Sequence, residues 1–75
     1  MPHITLKMYK GRTEAQKQAV CDALNQTLQD TLGCSEEAIS VSIFEYDPAD
    51  WANQVFYPEI MAEEDKLYKK PGYKP

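Results

Sequence analysis

Pro2-His3-Ile4-Thr5-Leu6-Lys7-Met8-Tyr9 followed by Lys10-Gly11-Arg12-Thr13-Glu14-Ala15-Gln16-Lys17 is the stretch on which the fold turns. From Pro2 to Tyr9 the chain alternates. Ile4, Leu6 and Met8 fall on one side; His3, Thr5, Lys7 and Tyr9 fall on the other. A period of two is the mark of a half-buried strand. Lys10-Gly11-Arg12 breaks it. Thr13 with Gln16 then forms a capping box, in which each side chain satisfies a free backbone N–H at a helix start. The periodicity that follows is helical: Val20, Ala23, Leu24, Thr27, Leu28 and Leu32 recur at three- and four-residue spacing. Gly33 supplies the left-handed residue that ends such a helix.

Working outward, Cys34–Ala38 reads as a turn. A second strand runs from Ile39 to Tyr46, with Ile39, Val41 and Ile43 on one side and Ser40, Ser42 and Phe44 on the other. Two strands joined by a long helix predict a βαβ unit, with parallel strands and a right-handed crossover. Asp47-Pro48-Ala49-Asp50-Trp51 predicts a helical turn with Asp47 as N-cap and Pro48 at its first position. A short second helix is predicted from Pro58 to about Lys69, followed by a turn and tail from Lys70 to Pro75. The 75 residues, 1–75, make a single domain. Two strands leave free edges and cannot cover the helix, so the chain is expected to pair its sheet with that of a second copy.

Composition narrows the function. The formal net charge is −4, which argues against nucleic-acid binding. No apolar run approaches a membrane span, and no signal peptide is visible. Cys21 and Cys34 are the two cysteines, without CxxC spacing, and His3 is the one histidine. Neither a structural zinc site nor a staple is expected, and reduced thiols fit a cytoplasmic setting. Arg12 is the sole arginine among eight cationic residues. Only its planar fork grips a carboxylate in bidentate fashion.

Pro2 stands directly behind Met1. Methionine aminopeptidase acts before small residues, and its action here would expose a secondary amine. An α-amino group titrates near about 7.7–8.0, and desolvation or a nearby cation lowers that value. Such an amine could act as a general base near neutral pH. Taken alone, proline after methionine signals only that the methionine is removed. With Met1 attached, the Pro2 nitrogen is an amide and cannot be a base.

Taken together, Pro2-His3-Ile4, the run Gly11 to Lys17 and Ile39-Ser40-Val41-Ser42-Ile43-Phe44-Glu45 resemble the 4-oxalocrotonate tautomerase family. Trp51 and the ending Leu67-Tyr68-Lys69-Lys70-Pro71-Gly72-Tyr73 look like its dimeric, longer-tailed subgroup of small bacterial tautomerases. The resemblance implies an α/β fold in which two protomers form a four-stranded sheet under two helices, as a homodimer or a trimer of dimers. It implies a cofactor-independent enol–keto tautomerase, an isomerase, acting on small anionic 2-hydroxy-alkenoate or aryl-enolpyruvate acids. Pro2 takes the place of the catalytic base. Arg12 takes that of the residue binding the carboxylate. Trp51 stands where the family has an aromatic that keeps the base dry, although core or interface filler is an equal reading for it.

The family's second arginine falls on Ser40 here, which implies a monoacid substrate, or a site that relies on Arg12 plus backbone N–H groups. The alternative is a non-catalytic oligomeric binding or interaction protein that keeps the fold. His3 reads as structural, because it lacks partners for a triad. Glu45 and Asp50 are the only nearby acids that hydratase-like chemistry could use.

Overall fold

The computed structural model describes residues 1–75. Strand β1 spans His3–Tyr9, helix α1 Glu14–Leu32 and strand β2 Ser40–Tyr46, with one 3-10 turn at Glu36–Ala38. The capping box forms as read. Gln16 N–H donates to Thr13 Oγ1 at 3.1 Å, and Thr13 N–H to Gln16 Oε1 at 2.9 Å. Gly33 closes α1 with φ 70° and its N–H on Gln29 O. β1 and β2 pair in parallel, with His3 opposite Ser40, Leu6 opposite Ile43 and Tyr9 opposite Tyr46. Helix α1 is the crossover that parallel strands require.

The register sorts the sheet into two faces. Ile4, Leu6 and Met8 of β1 share one with Val41, Ile43 and Glu45 of β2. Helix α1 lies on this face, where Lys17 Nζ reaches Glu45 Oε1 at 2.8 Å. The chain beyond β2 lies on the other face, packed at the C-terminal ends of the strands. There Trp51 meets Tyr9 and Tyr46 edge to face, and Lys7 pairs with Glu59.

The C-terminal part departs from the expectation of a separate turn and a helix from Pro58 to Lys69. A helical run begins at Pro48 and changes pitch on the way: α2 at Pro48–Trp51, π-type turns at Ala52–Ile60 and 3-10 turns at Met61–Lys66, the last broken by a kink at Glu63. Asp47 is the N-cap and Pro48 opens the helix as read, although the Asp47 side chain makes no capping bond. Pro58 sits inside the run. Its missing N–H and its ring forbid a regular α pitch. The wider turns bypass the defect, and Met61 N–H donates to Phe56 O and Tyr57 O. Trp51, Val55, Phe56 and Ile60 therefore repeat at four- or five-residue intervals, which a search for α periodicity passes over.

Those residues also form the core. Only Trp51, Val55 and Phe56 are buried, with Tyr46, Ile60 and Met61 packed against them. Ile4, Leu6, Met8, Val41, Ile43, Leu24 and Leu28 are merely half-buried. Val20, Leu32 and Phe44 are exposed. The accessible surface is 5720 Å². A self-contained monomer of 8.6 kDa exposes about 4,700 Å². The excess, about 1,000 Å², matches one partner's share of a standard protein interface, about 800 Å². The radius of gyration is 13.9 Å, against about 11 Å for a compact chain of this length. The chain thus exposes more surface than a compact domain of its mass does.

Candidate active site

Pro2 enters the sheet at the head of β1. Its carbonyl accepts Ser40 N–H at 3.2 Å, which extends the ladder by one residue. Pro2 is half-buried, and the Met1 ammonium in front of it donates to Ala38 O at 2.7 Å. His3, next along, bridges two hydroxyls: Nδ1 lies 2.7 Å from Ser40 Oγ and Nε2 3.2 Å from Thr5 Oγ1. Both ring nitrogens have partners, which agrees with its structural reading. Ser40 is occupied by His3.

Arg12 lies past the other end of β1. Gly11 makes the bend with φ 122°, a conformation that side chains rarely adopt. The bend delivers Arg12 just before the cap of α1. Its side chain is exposed and forms no ion pair, while the cations around it are engaged. Lys10 holds Asp47 at 3.5 Å. Lys17 sits between Glu14 and Glu45, each at 2.8 Å; the hydrogen bonds it donates to Glu14 first and Glu45 second raise its pKa above 10.5. Lys7 is tied to Glu59, whose hydrogen bond raises the Lys7 pKa above 10.5. At this end of the sheet the free cation is therefore Arg12. Glu45 is committed to Lys17, which leaves it poorly placed to serve as an acid.

Trp51 sits at the same end as Arg12. It is 8% exposed. Its ring meets Tyr9 at 5.3 Å between centroids and 86° between planes. Its indole N–H donates to Tyr73 Oη at 2.8 Å. A buried indole needs such an acceptor, and that need is the signal that could have found Tyr73 in what reads as a bare tail. Trp51, Tyr73, Tyr9, Met8 and Lys7 line a depression of about 380 Å³. Met8 also lines the neighbouring depression beside Arg12, Gln16 and Val20, so the two adjoin at Met8.

The protomer thus brings Arg12 and Trp51 to one end of β1 and leaves Pro2 at the other. Seven residues of strand, at about 3.3 Å each, put about 23 Å between them. No three His, Cys, Asp or Glu side chains are grouped to hold a metal ion. No helix is long and apolar enough to cross a membrane.

The family model described as "Tautomerase enzyme" matches residues 1–53. Among solved structures, YwhB, a homologue of 4-oxalocrotonate tautomerase, is 39% identical with a TM-score of 0.60, over 61% of this chain and 75% of that one. This chain belongs to the 4-oxalocrotonate tautomerase family. A second homologue of that tautomerase, TomN of the tomaymycin biosynthetic pathway, superposes with a TM-score of 0.65 at 32% identity, covering 67% of this chain and 77% of its own. Along the full length, this family member is 40% identical over 73 residues to a "Probable tautomerase" of Xylella fastidiosa, covering 97% of this chain and 89% of the relative. It is 38% identical over 74 residues to Tautomerase PptA of Cronobacter sakazakii, covering 97% of each. The family model stops at residue 53, so Tyr73 and most of the chain packed on the second sheet face lie beyond it.

Proposed function

We propose that this tautomerase-family member is a cofactor-independent enol–keto tautomerase of small 2-hydroxy-alkenoate or aryl-enolpyruvate monoacids. The observation that carries the proposal is the placement of Pro2 at one end of β1 and of Arg12 with Trp51 at the other. The outer edge of β1 is unpaired in the two-stranded sheet. If two copies pair there, antiparallel about a two-fold axis, the head of one β1 meets the tail of the other. Pro2 of one protomer then faces Arg12 of the partner subunit and Trp51 of the partner subunit. Both sites of the dimer become complete together. The same pairing covers part of the surplus surface and places two α1 helices side by side over four strands.

In this reading, removal of Met1 turns the Pro2 nitrogen into a secondary amine. The amine takes the proton of the enol hydroxyl. The oxygen's electrons form the C=O bond while the C=C pair takes a proton back from the ammonium at the adjacent carbon. One group both accepts and returns the proton, so nothing else is consumed. The guanidinium of Arg12 binds the carboxylate and steadies charge as it develops on the substrate oxygen. The apolar wall at Trp51 and Met8 excludes water, and a drier amine titrates lower.

The test is direct. Intact-mass measurement of the cell-made protein should show Met1 removed. Pro2→Ala, and a form that keeps Met1, should lose about 10²–10⁴ in kcat on phenylenolpyruvate, the usual size of a general-base contribution. Full kcat in Pro2→Ala would defeat the assignment. The second reading, a non-catalytic oligomeric binding protein, draws on Ser40 standing where the resemblance puts a second arginine. Quantitative retention of Met1 would decide for that reading.

A further inference from the structure

Beyond Lys66 the chain has no regular structure, and its ending is rich in lysine, proline and glycine. Such an end ordinarily frays. Here it returns to the molecule: Leu67 and Pro71 are half-buried, Lys70 lies 3.9 Å from Glu64, and Tyr73, itself 47% exposed, reaches the core. The Tyr73 ring lies against Phe56, with 5.4 Å between centroids. Its hydroxyl accepts the indole proton of Trp51 at 2.8 Å. Tyr9 and Tyr46 touch the Trp51 ring only through edge-to-face contacts. Tyr73 is therefore the single polar fixture of that ring. It also lines the depression shared by Lys7, Met8, Tyr9 and Trp51. One lone pair of the Tyr73 oxygen serves Trp51, and its own O–H donates to no group of the protomer.

We infer that Tyr73 is a positioning and specificity residue: it sets the plane of Trp51 in the substrate depression and offers a spare O–H at its rim. The inference rests on the reading of Trp51 as a wall of the site. An indole rotates about its own side-chain torsions unless its N–H is held, because edge-to-face contacts restrain tilt more than twist. Losing the acceptor leaves a buried N–H unpaired, which the ring relieves by turning. The acid lying against the ring is then held less well. Proton transfer at Pro2 involves no atom of Tyr73, so binding should suffer and turnover should not.

The experiment uses Tyr73→Phe, which deletes one oxygen and keeps the ring, beside Tyr73→Ala and Pro2→Ala. Trp51 is the one tryptophan, so its emission reports the ring directly. The probe is 3-phenylpropanoate, a monoacid that cannot enolise. Wild-type protein should show a saturable change in Trp51 emission with it. Tyr73→Phe should shift the resting emission and raise both the Kd of 3-phenylpropanoate and the KM of phenylenolpyruvate by roughly two- to tenfold, the range for one neutral hydrogen bond. kcat should stay within about twofold. Unchanged Kd and KM in Tyr73→Phe overturn the inference, even if the melting temperature falls, since Tyr73 is then only a tail anchor. A wild-type emission indifferent to saturating probe overturns it as well. If Pro2→Ala keeps full turnover while Tyr73→Phe weakens the probe and shifts the emission, the catalytic reading falls and the role of Tyr73 stands.

Discussion

Two inactive variants should repair each other. Pro2 and Arg12 lie beyond opposite ends of a seven-residue strand, about 23 Å of extended chain apart. A site that uses both must take them from different protomers. Pro2→Ala alone spoils every site of its homo-oligomer, and so does Arg12→Ala. In a mixed dimer, one site carries both substitutions and the other carries neither. Random assortment makes half the dimers mixed, and half the sites in those are intact, so about a quarter of all sites recover. The same fraction holds for any two distinct protomers, whether the assembly contains two chains or six. The substitutions should leave folding nearly unchanged, because Arg12 is exposed and has no ion-pair partner, and surface changes of that kind shift stability by about 0.5 kcal/mol or less. The assay mixes equimolar variants in mild denaturant and dilutes them together. Ketonisation of phenylenolpyruvate is then followed by the loss of enol absorbance, with each variant treated alone as control. Recovery to about a quarter of wild-type kcat is the expected outcome. A mixture no more active than the mean of its parts refutes the shared site. Because one protomer exposes about 1,000 Å² more than a monomer should, melting temperature and activity should also fall on dilution.

Arg12→Ala should lower kcat/KM by roughly 2–4 kcal/mol, about 30- to 900-fold, as expected for a charge-assisted bond made to substrate; Arg12→Lys should restore only part of this, because the fork is gone, and equal kinetics in all three proteins would exclude the role. Monoacids should be preferred over matched diacids, since Ser40 is bound to His3, while Lys7 and Lys10 are already paired with Glu59 and Asp47; a tenfold preference for the diacid in kcat/KM would contradict this. Lys7→Met should weaken attachment of the C-terminal run in a pH-dependent way. The folded-state pKa of Lys7 is raised above 10.5 by Glu59, so the stabilising contribution is fully present below 10.5 and is lost as pH rises through the higher folded value. The gap in melting temperature between wild type and variant should therefore close on the alkaline side of 10.5, and a gap that widens there would reverse the sign.

Local chemistry made the βαβ frame readable. Alternation in Pro2–Tyr9, the reciprocal Thr13–Gln16 cap and the stop at Gly33 each act within a few residues, and each recurs in the structure within one position. The C-terminal run was less legible. Pro58 reads as a helix start, because proline suits the first turn and disrupts an interior. In the fold it lies mid-run, tolerated by wider turns whose apolar residues follow a different repeat. The candidate site divides the same way. Pro2 and Arg12 stand out by residue type. That Lys7 and Lys10 are already paired, and that the Trp51 N–H meets the Tyr73 hydroxyl, shows only once chain segments far apart in sequence are packed together.

What the sequence by itself determined is therefore the set of groups and the strand–helix–strand frame that carries them: a proline behind a removable methionine, one guanidinium, one indole. These follow from short-range preferences and from the chemistry of single side chains. Tertiary structure decided where the groups stand. Parallel pairing of β1 with β2 sends Pro2 and Arg12 to opposite ends of the sheet. The C-terminal run takes Trp51 into the small core, with Tyr73 holding its N–H. The helix and strands stay half-buried, which leaves more surface than a compact chain of this mass exposes. Such relations depend on register, burial and long-range contact, which no window of neighbouring residues contains.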